Sequence, residues 1–265
     1  MAVLTNPRSD RVKSVRALGR RSVRERTQRF LVEGPQGVRE AVRHAAGRVV
    51  DVYVTPEAAQ RYPEIIETAQ EASRYVHEVS DEVLAAMSET DTPQGIVAVV
   101  AIAEPTLAEI LARRPKLLVV LTNVRDPGNA GTVIRGADAA GADAVIVSTN
   151  SVDVLSPKVV RSTAGSTFHI PVVTGLDIPE IIAELRGAGI RLLAADGSAT
   201  RTIDEADLSS AHAWVMGNEA WGLEPEVRDA CDEVLKVPIH GLAESLNLAM
   251  AATICLYASA RVQRG

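Results

Sequence analysis

Short apolar runs alternate with amphipathic stretches along the whole chain, and turn-forming residues separate them. In the first hundred residues, Phe30–Gly34, Val49–Thr55, Tyr75–Val79 and Gly95–Ala101 read as strands bounded by glycine, proline and polar residues. Pro35 opens a helix to about Ala45, and Pro56 opens the next. Asp81–Glu89 reads as a short helix capped at Ser80 or Asp81. These elements predict a small α/β unit. Pro105 and Pro115 flank a helical patch, Leu107–Arg113, which places a linker at 106–115 between a unit of residues 1–105 and one of residues 116–265.

From Lys116 the alternation strengthens. Lys116–Val124, Asp143–Ser148, Arg191–Ala195, Trp214–Gly217 and Val234–Ile239 are short apolar runs, several nearly continuous. Continuous runs between helices predict parallel strands covered on both faces. The expected fold class is therefore α/β, with a parallel sheet in the C-terminal unit. Ligands of open parallel sheets bind beyond the carboxyl ends of the strands, so the polar residues that follow each run are the candidates. The last helix, from Ala249 to Val262, is apolar almost all round, which predicts burial in a core or a subunit interface.

Composition narrows the function classes. With 46% apolar and 23% charged residues in a chain of 265, a real core can form and disorder is excluded. Aromatics are only 3%, too few for a surface that grips single strands by repeated stacking. Cys231 and Cys255 form no C-x-x-C, and the five histidines show no H-E-x-x-H, so no metal is expected. The first fifteen residues carry Arg8, Asp10, Arg11 and Lys13 with no apolar core, unlike a secretory signal. The longest apolar tract, Leu246–Ala260, contains Asn247 and is too short to span a bilayer. A cytoplasmic protein with no membrane partner is expected.

The net charge of −6 conceals a division. Residues 1–48 hold twelve Lys/Arg against four acids, a balance of +8, while the remainder carries −14. Arg20, Arg21, Arg24 and Arg29 lie in this basic arm, and nucleic acid is the commonest partner of such an arm. Arg16, Arg20 and Arg24, four apart, would also line a plainly solvated helix face.

Three strand-end loops carry the candidate chemistry. In the first, Asn123–Arg135, Asn129 stands at a helix entrance and Arg135 lies nearly two turns in. Asn129 also suits a helix cap, and Arg135 suits a pair with Asp138. The second, Trp214–Leu223, ends a strand on Gly217 and then presents Asn218 and Glu219. Gly217 suits close approach of a ligand to the backbone, and Glu219 is a polar anchor or a solvent-facing turn residue. The third, Val237–Leu248, contains His240, Ser245, Leu246 and Asn247, with Ser245 a possible cap of the last helix. No G-x-G-x-x-G, P-loop or G-x-S-x-G pattern is present.

Taken together and in this order, the three loops resemble the signature motifs of the SpoU branch of the SPOUT RNA methyltransferases. The stretch from Ser156 through Arg161 and Gly165 to Pro171 is also similar to the family, and residues 21–100 resemble its ribosomal-protein-like substrate-binding domain. The two-domain plan is similar to that of the thiostrepton-resistance methyltransferases. The resemblance implies a SPOUT domain with a trefoil knot, a homodimer, and S-adenosylmethionine held by backbone at Gly217, Val237 and Leu246. It implies a ribose 2′-hydroxyl of structured RNA, above all 23S rRNA, as methyl acceptor. Asn129, Arg135, Glu219, Ser245 and Asn247 match its polar site residues, and Arg161 joins the RNA-binding set with Arg20, Arg21, Arg24 and Arg29. A tRNA methyltransferase, a non-catalytic RNA-binding assembly factor and a small-molecule nucleotide enzyme remain as alternatives.

Overall fold

The computed structural model describes residues 3–265. The chain divides into two compact units, one reaching Ala103 and also taking in Asp153–His169, the other formed by Glu104–Val152 and Ile170–Gly265. In chain order the first unit contributes α1 (Asp10–Arg16), α2 (Arg21–Thr27), β1 (Arg29–Glu33), α3 (Pro35–His44), β2 (Val49–Val54), α4 (Pro56–Arg61), α5 (Pro63–Glu71), β3 (Tyr75–Glu78), α6 (Asp81–Met87) and β4 (Ile96–Ala101). The second begins with α7 (Leu107–Leu111), β5 (Leu117–Leu121), α8 (Pro127–Ala140) and β6 (Ala144–Val147). Then α9 (Pro157–Ser162) returns to the first unit. The second resumes with β7 (Val172–Val173), α10 (Ile178–Gly187), β8 (Arg191–Ala195), β9 (Arg201–Thr202), β10 (His212–Met216), α11 (Pro225–Asp229), β11 (Glu233–Lys236) and α12 (Leu248–Arg264).

The first unit holds a four-stranded sheet in the order β1-β4-β2-β3, in which β2 and β3 are parallel and the other pairs antiparallel. Alternate strand residues supply two cores, as a period of two requires. Phe30, Val32, Val52, Val54, Ala98 and Val100 pack with Val38 and Val42 of α3, whereas Leu31, Tyr53, Val97 and Val99 pack with Val12, Val15, Val83 and Leu84. The Ser80 hydroxyl accepts the Val83 N–H, so Ser80 rather than Asp81 caps α6.

A single cut at 106–115 does not separate the units. Val160 and Phe168 complete the first of those cores, with the Phe168 ring stacked 6.2 Å from Phe30. Asp153 pairs with Arg24 and Arg161 with Glu33, so both apolar and charged contacts hold residues 153–169 in the first unit.

The second unit is built on a seven-stranded, wholly parallel sheet in the order β7-β6-β5-β10-β8-β11-β9. Five of these strands follow the apolar runs. The other two, β7 and β9, are two-residue edge pairings too short to leave a pattern. β5 stops at Leu121, short of Val124, because Asn123 adopts φ +53° and turns the chain out of the ladder. Leu118, Val120, Ile146, Leu192 and Val215 face Ile181 and Leu185 of α10. Behind the opposite face α8 and α12 lie so close that a Cβ on Gly136 would stand 2.8 Å from Thr253 Oγ1. All-round burial of α12 is not observed: Ala252, Cys255, Leu256 and Ala260 are buried, while Met250, Ile254 and Tyr257 form an exposed apolar stripe.

Candidate active site

In chain order β5 is followed by β6 and β7 on one side, yet β10 is the strand inserted between β5 and β8. Such a reversal opens a crevice at the carboxyl ends of the strands. The first two candidate loops leave from β5 and β10, which run in register from Leu117/His212 to Leu121/Met216. The Thr122 N–H and hydroxyl both donate to the Met216 carbonyl at 2.9 Å, extending that pairing past the strand ends.

Helix α8 is capped by Asp126, whose carboxylate accepts the Asn129 N–H at 2.7 Å, with Pro127 at the first helical position. Asn129 is therefore not the cap, and its side chain is released for other work. Glu219 spends its carboxylate on three donors: the backbone N–H groups of Arg125 (3.2 Å) and Asp126 (3.1 Å), and the Asn129 amide (3.3 Å). The Asn129 carbonyl oxygen in turn accepts from Asn247 Nδ2 at 2.9 Å. The Asn247 carbonyl oxygen accepts the Ala249 and Met250 N–H groups and caps α12. Direction is fixed throughout: an ionised carboxylate only accepts, so Asn129 must offer its NH2 to Glu219 and its oxygen to Asn247. A polar relay thus runs from the β10 loop through the α8 entrance to the α12 entrance. Asn247, not Ser245, caps the last helix.

The loop after β10 is closed on itself. Asn218 and Gly222 exchange backbone hydrogen bonds at 2.8 and 2.9 Å. A Cβ on Gly217 would lie 2.2 Å from the Gly222 carbonyl carbon, so glycine is demanded there by the loop's own return strand. The buried Asn218 amide donates to the Asn123 carbonyl at 2.7 Å and its oxygen accepts the Ala220 N–H, which ties this loop to the first. The sequence presents Asn218 beside Glu219 and gives it no role; its burial is visible only in the fold.

The third loop contrasts with the others. Among the described residues no hydrogen bond or ion pair engages residues 237–246, although Val237 and Leu246 are half-buried. A stretch with uncommitted N–H and C=O groups at a sheet's carboxyl edge fits a ligand held by main-chain contacts. Gly217, Val237 and Leu246 stand respectively after β10, after β11 and before the α12 cap. Ser245 and His240 are exposed. Arg135 is exposed on α8, and no hydrogen bond or ion pair engages it among the described residues. The structure therefore brings together Asn129, Glu219 and Asn247, and leaves Arg135 and Ser245 outside their network. Burial pushes the Cys231 and Cys255 thiols up to about 12.

The five arginines expected to bind RNA divide into two kinds. Arg20, Arg21 and Arg29 are exposed, with Arg21 bonded to Glu25 at 2.7 Å. Arg24 is 3% exposed and donates to the carbonyls of Leu18 (2.6 Å) and Gly19 (2.7 Å) besides pairing with Asp153. Arg161 pairs with the buried Glu33. Arg24 and Arg161 thus each hold a carboxylate of their own unit, Asp153 and Glu33, a structural contact that the exposed Arg20 and Arg29 do not make.

Residues 116–257 match the SpoU rRNA Methylase family, and residues 9–98 match the MRM3-like substrate binding domain. The chain is 35% identical to the 23S rRNA (guanosine(2553)-2′-O)-methyltransferase RlmP of Bacillus subtilis, over 97% of this chain and 98% of that one. Its fold is similar to the AdoMet-bound rRNA methyltransferase of Sinorhizobium meliloti, with a TM-score of 0.85 and 29% identity over 98% and 97% of the two chains. It is also similar to the SpoU methyltransferase AviRb of Streptomyces viridochromogenes in complex with AdoMet, with a TM-score of 0.81 and 32% identity over 96% and 98%.

Proposed function

Because this chain belongs to the SpoU rRNA methylase family, we propose that it methylates a ribose 2′-hydroxyl of 23S rRNA with S-adenosylmethionine as donor. The observation that carries this reading is the Glu219–Asn129–Asn247 relay, drawn from three strand-end loops beside a main-chain segment, 237–246, that no hydrogen bond engages among the described residues. When bound, S-adenosylmethionine supplies an electrophilic sulfonium methyl. Gly217, Val237 and Leu246 hold it through their backbone.

The remaining work falls to the chain's own side chains. A ribose hydroxyl becomes nucleophilic only as its proton leaves, so the oxygen must be positioned and its growing negative charge stabilised. The Arg135 guanidinium is a cation that no hydrogen bond or ion pair engages among the described residues; it binds the neighbouring phosphate and supports the developing alkoxide. Glu219 acts through geometry, since three donors already occupy it: it holds the α8 entrance in place, and Asn129 passes that order to Asn247. Ser245 presents its exposed hydroxyl to the substrate. Arg20, Arg21 and Arg29 bind RNA phosphates, a contact that specifies shape rather than base sequence.

The same reading includes a homodimer, a trefoil knot and a cytoplasmic setting. The exposed Met250, Ile254 and Tyr257 stripe, at i, i+4 and i+7 of α12, supports a second copy docking there. The late insertion of β10 between β5 and β8 supports a threaded path. No helix of the described residues is long and apolar enough to cross a membrane.

The test is transfer of labelled methyl from S-adenosylmethionine to protein-free 23S rRNA, followed by nucleoside mass spectrometry and alkaline hydrolysis. A 2′-O-methyl nucleoside flanking an alkali-resistant phosphodiester is expected. Methylation on a base, or RNA binding without transfer, overturns the proposal, the second outcome marking a non-catalytic RNA-binding factor.

A further inference from the structure

Glu40 and His44 lie one turn apart on α3, and His169 ends the 153–169 segment of the same unit. Glu40 Oε2 stands 3.3 Å from His44 Nε2 and 3.1 Å from His169 Nε2. All three ligand atoms lie within 4.8 Å of one another, and the two imidazoles meet edge to face at 4.6 Å. We propose that this cluster binds a divalent transition-metal ion of the zinc class, fastening α3 to the 153–169 segment.

Donor chemistry and spacing both support the assignment. Two imidazoles and one carboxylate form a ligand set that zinc accepts, with a fourth position left to water. Bonds of about 2.0–2.2 Å to a tetrahedral ion put neighbouring ligand atoms about 3.3 Å apart, which the two Glu40–imidazole spacings match. An outer shell is also in place. The second Glu40 oxygen accepts from Gln36 Nε2 at 3.1 Å, and the Gln36 carbonyl accepts from Arg39 at 3.1 Å, so the carboxylate is held from behind. Gly165, at φ +103°, makes room for it: a Cβ there would lie 2.3 Å from Glu40 Cγ. Glu40 itself is buried enough (side chain 12% exposed) to profit from a cation, while His44 remains open for exchange with solvent. No H-E-x-x-H pattern announces this site because its third ligand lies 129 residues beyond Glu40 in the chain.

Two neutral imidazoles hydrogen-bonded to one carboxylate would need no ion, and titration separates the two cases. Untagged full-length protein, stripped with chelator, is titrated with ZnCl2 by calorimetry and with CoCl2 by visible absorption. Expected are one ion per chain, the ligand-field bands of four-coordinate Co2+, and their loss on adding Zn2+. His44→Gln and His169→Gln each lower zinc affinity by more than about 100-fold, and Gln36→Ala by about 10-fold. Unfolding midpoints should rise with zinc in the wild type and not in either histidine variant. No stoichiometric uptake by the wild type, or unchanged affinity in both histidine variants, overturns the site. Either variant alone decides the matter should the other fold poorly, and methyl transfer enters none of these readouts.

Discussion

Glu33 and Glu219 perform the same local act in the two units and to opposite ends. Each carboxylate takes two consecutive backbone N–H groups, from Glu89 and Thr90 for Glu33 and from Arg125 and Asp126 for Glu219. Glu33 is 6% exposed and completes itself with the Arg161 guanidinium. Glu219 is exposed and completes itself with the neutral Asn129 amide, which leads on to Asn247. Charge pairing inside the protein makes a fastening with nothing left over. Amide pairing at the surface fixes geometry without consuming a cation, and no hydrogen bond or ion pair engages the nearby helix residue Arg135 among the described residues. Residue type does not separate a clamp from a site; the partner and the exposure do.

The comparison breaks most readily at Glu33. Replacing it by Ala strands Arg161 and two N–H groups, and unfolding stability in urea should fall by about 3–5 kcal/mol, with methyl transfer per folded molecule retained. Loss of transfer without loss of stability would put Glu33 in the site. Next comes Arg135→Ala, which should lower the single-turnover rate by about 10²–10³-fold while the urea midpoint stays within about 0.5 kcal/mol of wild type. Full activity in this variant removes the guanidinium from the mechanism, and Arg135→Lys then tells charge from shape.

Asn247 sharpens the contrast at a smaller scale. Asn247→Ala loses the α12 cap, costing about 1 kcal/mol, and loses the relay as well. Asn247→Asp keeps the cap but turns an acceptor toward the Asn129 oxygen. It should recover the stability and not the rate, and equal recovery of both would show the relay to be dispensable. The smallest effect comes from His212, a control remote from either glutamate. Burial lowers its pKa below the ordinary 6.5, and its Nδ1–H donates to the Ser210 carbonyl while Nε2 accepts from Ser259. Its stabilising contribution is present in full above 6.5 and is lost as pH falls through the lowered value, because the unfolded chain takes the proton first. Urea midpoints followed downward from neutral pH should show a slope below about 1.4 kcal/mol per pH unit, absent in His212→Gln.

Much of this was legible in the residues. Pro35, Pro56 and the Ser80–Asp81 pair marked helix starts, Arg191–Ala195 appeared as the strand it is, and the three loops follow their strands. Asp126-Pro127 is itself a helix-entrance signature, and reading it as one would have released Asn129 from the cap. What stayed hidden depends on distance along the chain. Arg24 looks like any arginine of a basic arm, and Arg161 like any exposed helix arginine, until partners 129 and 128 residues away are placed beside them. The return of residues 153–169 to the first unit has no local signal, since Pro157 opens α9 as any proline opens a helix. The exposed stripe of α12 was concealed by apolar residues on every side, a pattern that does not say which face is covered.

That return orders events during synthesis. A ribosome releases β1 to β4 long before Val160 and Phe168, so the earliest folded piece waits with an open side while β5, α8 and β6 emerge. Nascent chains arrested before residue 153 should be cut readily by protease within their first hundred residues, and those extended past 169 should resist. Domain-shuffling at the proline-flanked linker would inherit the same gap, so exchange of the first unit must carry two pieces of sequence together.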